Sequence, residues 1–479
     1  MGLRTIIIYA MRKATFLVST VLTCWAAQAS AATHEYVVTI DADMGRMTVA
    51  ATFGESVRSI GVRSRDASDY LSEARNCSTD DERRLRARDR RMLLPRTGIS
   101  CLTYTVDLAR AARNERRNAS LAASNIIVSP AAWFWRPTLS DDDEIIVRFD
   151  TPASVNVSVP WSAVPGSANT FRLVDSPESS TAFAAFGQFD FRETTIAGAQ
   201  LRVTMMRPQR GEKLEPLYQW VRDTANTVAL AYGRFPNPEA SVVLIPIGNR
   251  GWGDDAVIFG RVVRDGGESV ELFVNPTRPI EEFYDSWTAT HEFSHLMLPY
   301  IGERHRWVSE GFASYYQNVL MARAGRYTEE RAWRKLWEGF DRGMQSRPDM
   351  SMNDAADGGG RATTMKIYWS GAAIALMADV ELRQRSNGAQ SLDTVLGRLQ
   401  ECCVPSDRTW SGPELFEKLD TLIDEPLFMP LYRRYANAAG FPDAHGLLRR
   451  LGVDYKWREV QFEDDAELVR IRTAIMQKS

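Results

Sequence analysis

Residues 291–295 read His-Glu-Phe-Ser-His, two imidazoles four positions apart with a carboxylate next to the first. On a helix, positions i and i+4 lie one above the other on the same face. Two imidazoles so placed can bind one tetrahedral Zn2+, with Glu292 one step round, near the water on the metal. The whole chain holds only five His, and this pattern arises by chance roughly a few times in a thousand in such a length. Zinc needs a third protein ligand, and the segment Trp307 to Tyr316 offers Glu310. Two His and one Glu leave a fourth position open for water, the arrangement of a catalytic rather than a structural site. Zinc lowers the pKa of its water to about 7. Glu292 can then take the proton as the water attacks an amide carbonyl, and deliver it to the leaving amine.

The elements around these residues must hold them on neighbouring faces. Ile280 to Leu298 has no internal Gly or Pro and ends at Pro299, which predicts one helix over 280–298. A turn, Tyr300 to Arg306, precedes a second helix over 307–324, so Glu310 can fold back towards the two His. Further helices are expected over 328–343, 364–386, 390–401, 412–421 and 427–438, with a Gly-containing loop from Asn353 to Arg361 between them. Upstream, Leu201 to Met206, Ser241 to Ile247, Ala256 to Val263 and Ser269 to Val274 read as strands, and Leu214 to Tyr232 as an amphipathic helix. From His34 to about Met206 short strand-like runs alternate with Pro, Gly, Asp and Ser clusters. Ser154 to Val159 is the clearest, with Val155, Val157 and Val159 on one face.

A chain of 479 residues is too long for one small core. With 44% hydrophobic and 25% charged residues it has the composition of a folded globular protein, and a formal charge of −3 argues against a nucleic-acid partner. The start reads as an address. Arg12 and Lys13 precede an apolar run from Ala14 to Ala27, closed by small residues up to Ala31. That layout is a secretory signal peptide over residues 1–31, with Met11 an alternative start, and is shorter than the roughly 20 apolar residues that span a bilayer. The mature protein is expected in the periplasm or outside the cell, with no integral membrane segment. Losing Arg4, Arg12 and Lys13 takes its charge from −3 to −6. Export makes disulfides possible. Cys77 and Cys101 flank a charged stretch and are expected to pair, whereas the adjacent Cys402 and Cys403 either bridge each other or pair elsewhere. Of the remaining His, His34 is expected to be exposed, His305 to lie in a solvated turn, and His445 to be structural or on the surface.

These motifs resemble a gluzincin metallopeptidase, and most of all the glycyl aminopeptidase family. His291, Glu292 and His295 match the H-E-x-x-H signature, and Trp307-Val308-Ser309-Glu310-Gly311-Phe312 matches the W-x-x-E-G-F segment with the third ligand. Ile367-Tyr368-Trp369-Ser370-Gly371-Ala372 is similar to the V-Y-x-K-G-A segment of alanyl aminopeptidases, whose Tyr stabilises the transition state. Weaker likenesses lie at Trp135-Arg136-Pro137, Leu173 to Pro177 and Leu431 to Tyr435. The resemblance implies a multidomain α+β protein: an N-terminal β-sandwich-like domain over 32–198, a thermolysin-like zinc catalytic domain over 199–350, a C-terminal α-helical domain over 351–465 and a tail over 466–479. It implies Zn2+ held by His291, His295 and Glu310, with Glu292 and Tyr368 catalytic, and a peptide or protein substrate.

The sequence departs from that family in three places. Only fourteen residues separate His295 from Glu310, fewer than those families show. No PDZ domain is recognisable after the helical region. The Gly-rich segment that should carry a Glu for the substrate's free amine reads Gly251-Trp252-Gly253-Asp254-Asp255-Ala256, which leaves Gly253, Asp254 and Asp255 as candidate substrate-binding residues. The reading is therefore an exported zinc aminopeptidase. An endopeptidase of the same fold, or a non-catalytic binding protein that keeps the fold, stands as the alternative.

Overall fold

The computed structural model describes residues 31–78, 84–114, 125–140, 142–174, 182–206, 214–247, 254–358 and 360–477. The expected signal peptide over 1–31 therefore lies almost wholly outside them. Among them no helix is long and apolar enough to cross a membrane. The architecture is mixed α+β, with several sheets followed by many helices.

Besides the short hairpin Arg86–Arg88 with Arg91–Leu93, the N-terminal part carries two sheets among the described residues. In the larger, seven strands run in the order Ser162–Ala163, Thr170–Val174, Glu144–Asp150, Thr33–Ile40, Arg46–Val57, Ile99–Asp107 and Leu71–Asn76. Asn125–Val128, Ala184–Gly187 and Asn156–Ser158 form the smaller. Strand Thr33–Ile40 alternates buried and exposed positions, as a sheet with one wet face requires. One apolar cluster draws on both sheets, with Trp133, Trp135, Trp161, Phe149 and Phe186 at its centre. His34 corrects its expectation: it sits in this strand, 1% exposed, edge-on to Phe53. The alternation that buries Tyr36 and Val38 buries His34 with them. Cys77 and Cys101 are bonded, joining the end of the Leu71–Asn76 strand to its neighbour.

Five strands form the sheet beneath the site: β1 Asp190–Ile196, β2 Ala199–Met205, β3 Glu239–Pro246, β4 Val257–Arg264 and β5 Glu268–Val274, in the order β1-β2-β3-β5-β4. β2, β3 and β5 are parallel, and β3 is a continuous buried run, as a central parallel strand must be. β4 pairs antiparallel with β5 and forms an edge. The tight β4–β5 turn needs Gly266, at φ +80°, a backbone conformation that a side chain would strain.

Helix α1, Glu215–Ala229, covers this sheet. The helix expected over 280–298 is broken. It divides into α2, Ile280–Asp285, and α3, Thr288–Ser294, and ends in a 3-10 turn, His295–Met297. The Tyr327 hydroxyl donates to the Asp285 carbonyl at 3.1 Å, and Arg331 forks onto the Asp285 carboxylate. Ser286 is extended. Tyr327 thus takes the carbonyl that a continuous helix would have used, and Arg331 anchors the same residue by its side chain. Next come α4, Arg306–Arg323, and α5, Glu329–Gln345. The loop expected over 353–361 contains a helix instead, α6, Met352–Gly358, whose Asn353 accepts the Trp307 indole N–H at 2.9 Å. α7 spans Thr364–Arg385. Beyond it lie the helices Leu392–Cys403, Gly412–Asp420 and Phe428–Tyr435, within two residues of their expected starts. A small hairpin, Val453–Lys456 with Glu459–Phe462, interrupts a region expected to be helical. The five-stranded sheet and these helices share one apolar core, so packing is continuous across residue 350.

Candidate metal centre and its cleft

The α3 segment places His291, Glu292 and the following His295 on its buried side. Glu310 comes from the second turn of α4. His291 Nε2 lies 3.2 Å and His295 Nε2 3.5 Å from Glu310 Oε2, and the three candidate ligand atoms all lie within 4.8 Å of one another.

The outer nitrogens decide what these groups can do. His291 Nδ1 is 2.7 Å from Gln317 Oε1, an acceptor only, so this nitrogen carries the proton. His295 Nδ1 is 2.9 Å from the Ser309 hydroxyl, which can accept in the same way. With Nδ1 protonated, each neutral ring turns its Nε2 lone pair towards the Glu310 carboxylate. Two lone pairs facing an anion repel unless protons or a cation lie between them. That donor set fits a tetrahedral zinc site with one position left open. Burial works against the charged imidazole of His291, but the Glu310 hydrogen bond and the charges of Glu292 and Glu310 together raise its pKa. Burial also opposes ionisation of Glu310, yet positive charge on the His295 and His291 rings, when these are protonated, holds that carboxyl far below its usual range.

Glu292 is buried one residue from the first ligand. Its side chain crosses β4 where that strand has no side chain: a Cβ on Gly260 would sit 2.4 Å from Glu292 Cγ. Burial pushes the Glu292 carboxyl up, against the pull of His291 and His295.

Tyr368 reaches the same point from α7. Its ring is parallel to that of His291 at 5.6 Å, and it lines the cleft with Glu310. Burial keeps the phenol protonated, so it is a donor at neutral pH. α4 and α7 bring it there by an unusually close crossing. A Cβ on Gly371 would lie 2.0 Å from the Trp307 carbonyl oxygen, and one on Gly311 would lie 2.2 Å from Gly371 Cα. Each glycine permits the backbones to touch.

Arg264, at the end of β4, closes the opposite side. Its Nη2 donates to the carbonyls of His295 and Leu298 at 3.2 Å, and its Nε pairs with Glu268. A cation at a helix C-terminus satisfies orphan carbonyls and complements the dipole. Together these residues line a cleft of about 280 Å³ that also exposes Phe259, Tyr300, Glu303 and Arg306.

Five candidates from the sequence thus meet: His291, Glu292, His295, Glu310 and Tyr368. The substrate-binding candidates do not join them. Asp254 pairs with Arg278 at 3.1 Å, and neither it nor Asp255 lines the cleft among the described residues, while Gly253 lies outside those residues. Cys402 and Cys403 are bonded to each other at the end of a helix, away from the cleft-lining residues. His305 is half-buried at the start of α4 and faces Tyr432, and His445 packs on Trp337. Gln317, Ser309, Gly260 and Arg264 were missed from the sequence. Gln317, seven residues after Glu310, repeats its helix face and so was legible in principle. For Arg264 there was no local signal.

Residues 300–374, which carry Glu310 and Tyr368, match the M61 glycyl aminopeptidase family. The fold is similar to that of an aminopeptidase N family protein from Idiomarina loihiensis, with TM-score 0.62 and 15% identity over 88% of this chain and 78% of that one. It is also similar to an M1 zinc metallopeptidase variant from Deinococcus radiodurans bound to a Tyr-Ser-Ala substrate, with TM-score 0.52 and 12% identity over 86% of this chain and 94% of that one. No curated protein matches the sequence. The family match and the site support a zinc peptidase of the gluzincin class, a hydrolase. Within that class the match is to the glycyl aminopeptidases.

Proposed function

We propose that the protein is an exported zinc-dependent aminopeptidase that hydrolyses peptide bonds, acting in the periplasm or outside the cell. The observation that carries this reading is the meeting of His291, His295 and Glu310 with Glu292 and Tyr368 in one cleft. Zinc, when bound by the two Nε2 atoms and Glu310, supplies Lewis acidity and brings the pKa of water to about 7.

The chain's own groups do the rest. Gln317 and Ser309 hold the imidazoles in the tautomer that turns Nε2 inward. β4 is the edge strand of the described sheet and lies along the cleft, where an extended peptide can add to it. Glu292 takes the proton of the attacking water and passes it to the leaving amine. The Tyr368 hydroxyl donates to the oxyanion that develops on the scissile carbonyl.

One observation favours the endopeptidase alternative: Asp254 is committed to Arg278 rather than to a substrate amine. Digestion of matched peptides with free and acetylated N-termini by the zinc-loaded protein separates the two. Cleavage of free peptides with release of the first residue supports the aminopeptidase. Cleavage of the blocked set alone overturns it, and a protein that never takes up zinc overturns the peptidase.

A further inference from the structure

Three arginines line the cleft, and two of them, on β4, are engaged by acids of the neighbouring strand β5. Arg261 Nε donates to the fully buried Glu271 at 2.6 Å, and Arg264 is held by Glu268 and two carbonyls. Arg306 differs. It is the first residue of α4, one helical turn before Glu310, so its side chain rises from the same face as the candidate zinc ligand. Its Nε is buried without a hydrogen-bond partner. Its nearest acid, Glu303, stands 3.7 Å away, beyond hydrogen-bond reach, on a side chain 72% exposed to water. A buried guanidinium N–H left unsatisfied is costly, and a carboxylate is the group that a guanidinium fork fits best. Arg306 and Tyr368 line the same cleft, so the group that Arg306 binds lies near the scissile bond.

We propose that Arg306 is a specificity-determining residue that binds a carboxylate of the peptide next to the scissile bond. That carboxylate belongs either to an acidic side chain or to the C-terminus of a short peptide. The assignment rests on the peptidase reading of the same cleft and deepens it by naming the preferred substrate class. Arg306 lies on a half-exposed helix start, so its replacement leaves the core intact.

The test is calorimetric binding to the full chain, zinc-loaded and carrying Glu292→Gln so that peptides bind without turnover. Two peptide pairs are compared: trialanine as free acid and as C-terminal amide, and Ala-Glu-amide against Ala-Gln-amide. The carboxylate-bearing member of at least one pair should bind roughly tenfold or more tightly. Preference in the first pair assigns the C-terminus, and preference in the second assigns the side chain. Adding Arg306→Gln should abolish the preference, and Arg306→Lys should keep part of it. Equal binding within both pairs, no binding of any of the four, or a preference that survives Arg306→Gln overturns the proposal. Failure of the unsubstituted zinc protein to cleave any peptide, with Arg306-dependent binding intact, would instead count against the peptidase reading alone.

Discussion

The Tyr368 ring lies parallel to the His291 imidazole, with centroids 5.6 Å apart and planes within 1° of each other. The stack fixes where the phenol hydroxyl can go, and it leaves the His291 Nδ1 and Nε2 edges free for Gln317 and Glu310. Tyr368→Phe keeps the stacked ring and removes only the donor. Turnover should fall about 10²–10³-fold with zinc content unchanged. Steady-state kinetics together with metal analysis check it, and a variant with undiminished kcat rules out the hydroxyl as the oxyanion donor.

Glu292 is close to the ligands without being one of the three atoms that converge. Glu292→Gln should therefore retain zinc at one equivalent per chain while losing about 10²–10⁴-fold in kcat. Loss of the metal along with activity would mean that Glu292 holds zinc rather than moving a proton.

The amide of Gln317 fixes the His291 tautomer through a 2.7 Å hydrogen bond. Gln317→Leu fills the same space but leaves Nδ1 without an acceptor. Zinc affinity should drop about 10–100-fold, as read by competition with a chromogenic chelator. An unchanged affinity would show that the ring is held by packing alone.

Two glycines should fail in different ways. At Gly371 an added Cβ meets backbone, 2.0 Å from the Trp307 carbonyl oxygen, and helices α4 and α7 must separate. Gly371→Ala should cost about 1–3 kcal/mol of stability, measured by denaturant unfolding. At Gly260 the three atoms nearest the added Cβ all belong to the side chain of Glu292. Gly260→Ala should leave the unfolding midpoint nearly unchanged and depress kcat, because the side chain that gives way is the proposed base. Equal stability losses in the two variants would contradict this distinction.

The site was legible where its chemistry follows a helical repeat. His291 and His295 are four apart and Glu310 lies near the start of the next helix, so spacing alone brought the three within reach. Helices 307–324 and 364–386 were readable too, although the second is buried on nearly every side and presents no single apolar face. The break at Ser286 was not legible, because the groups that take up Asp285 come from Tyr327 and Arg331, more than forty residues away. The helix Met352–Gly358 was hidden by a stretch rich in Gly and Asp, and it is held by Trp307 through Asn353.

By itself, then, the sequence brought out the candidate metal ligands, the proposed base and most of the strands and helices around them, since each depends on local periodicity and side-chain chemistry. Tertiary structure alone decided what surrounds the ligands. It set Gln317 on His291, Arg264 on the end of the His helix, Gly260 beneath Glu292, and Arg306 in the cleft with a guanidinium N–H unsatisfied. It also took Asp254 out of the cleft and gave it to Arg278. These relationships join residues far apart in the chain, and their distances depend on how closely α4, α7 and β4 pack. No local pattern of residues encodes that closeness.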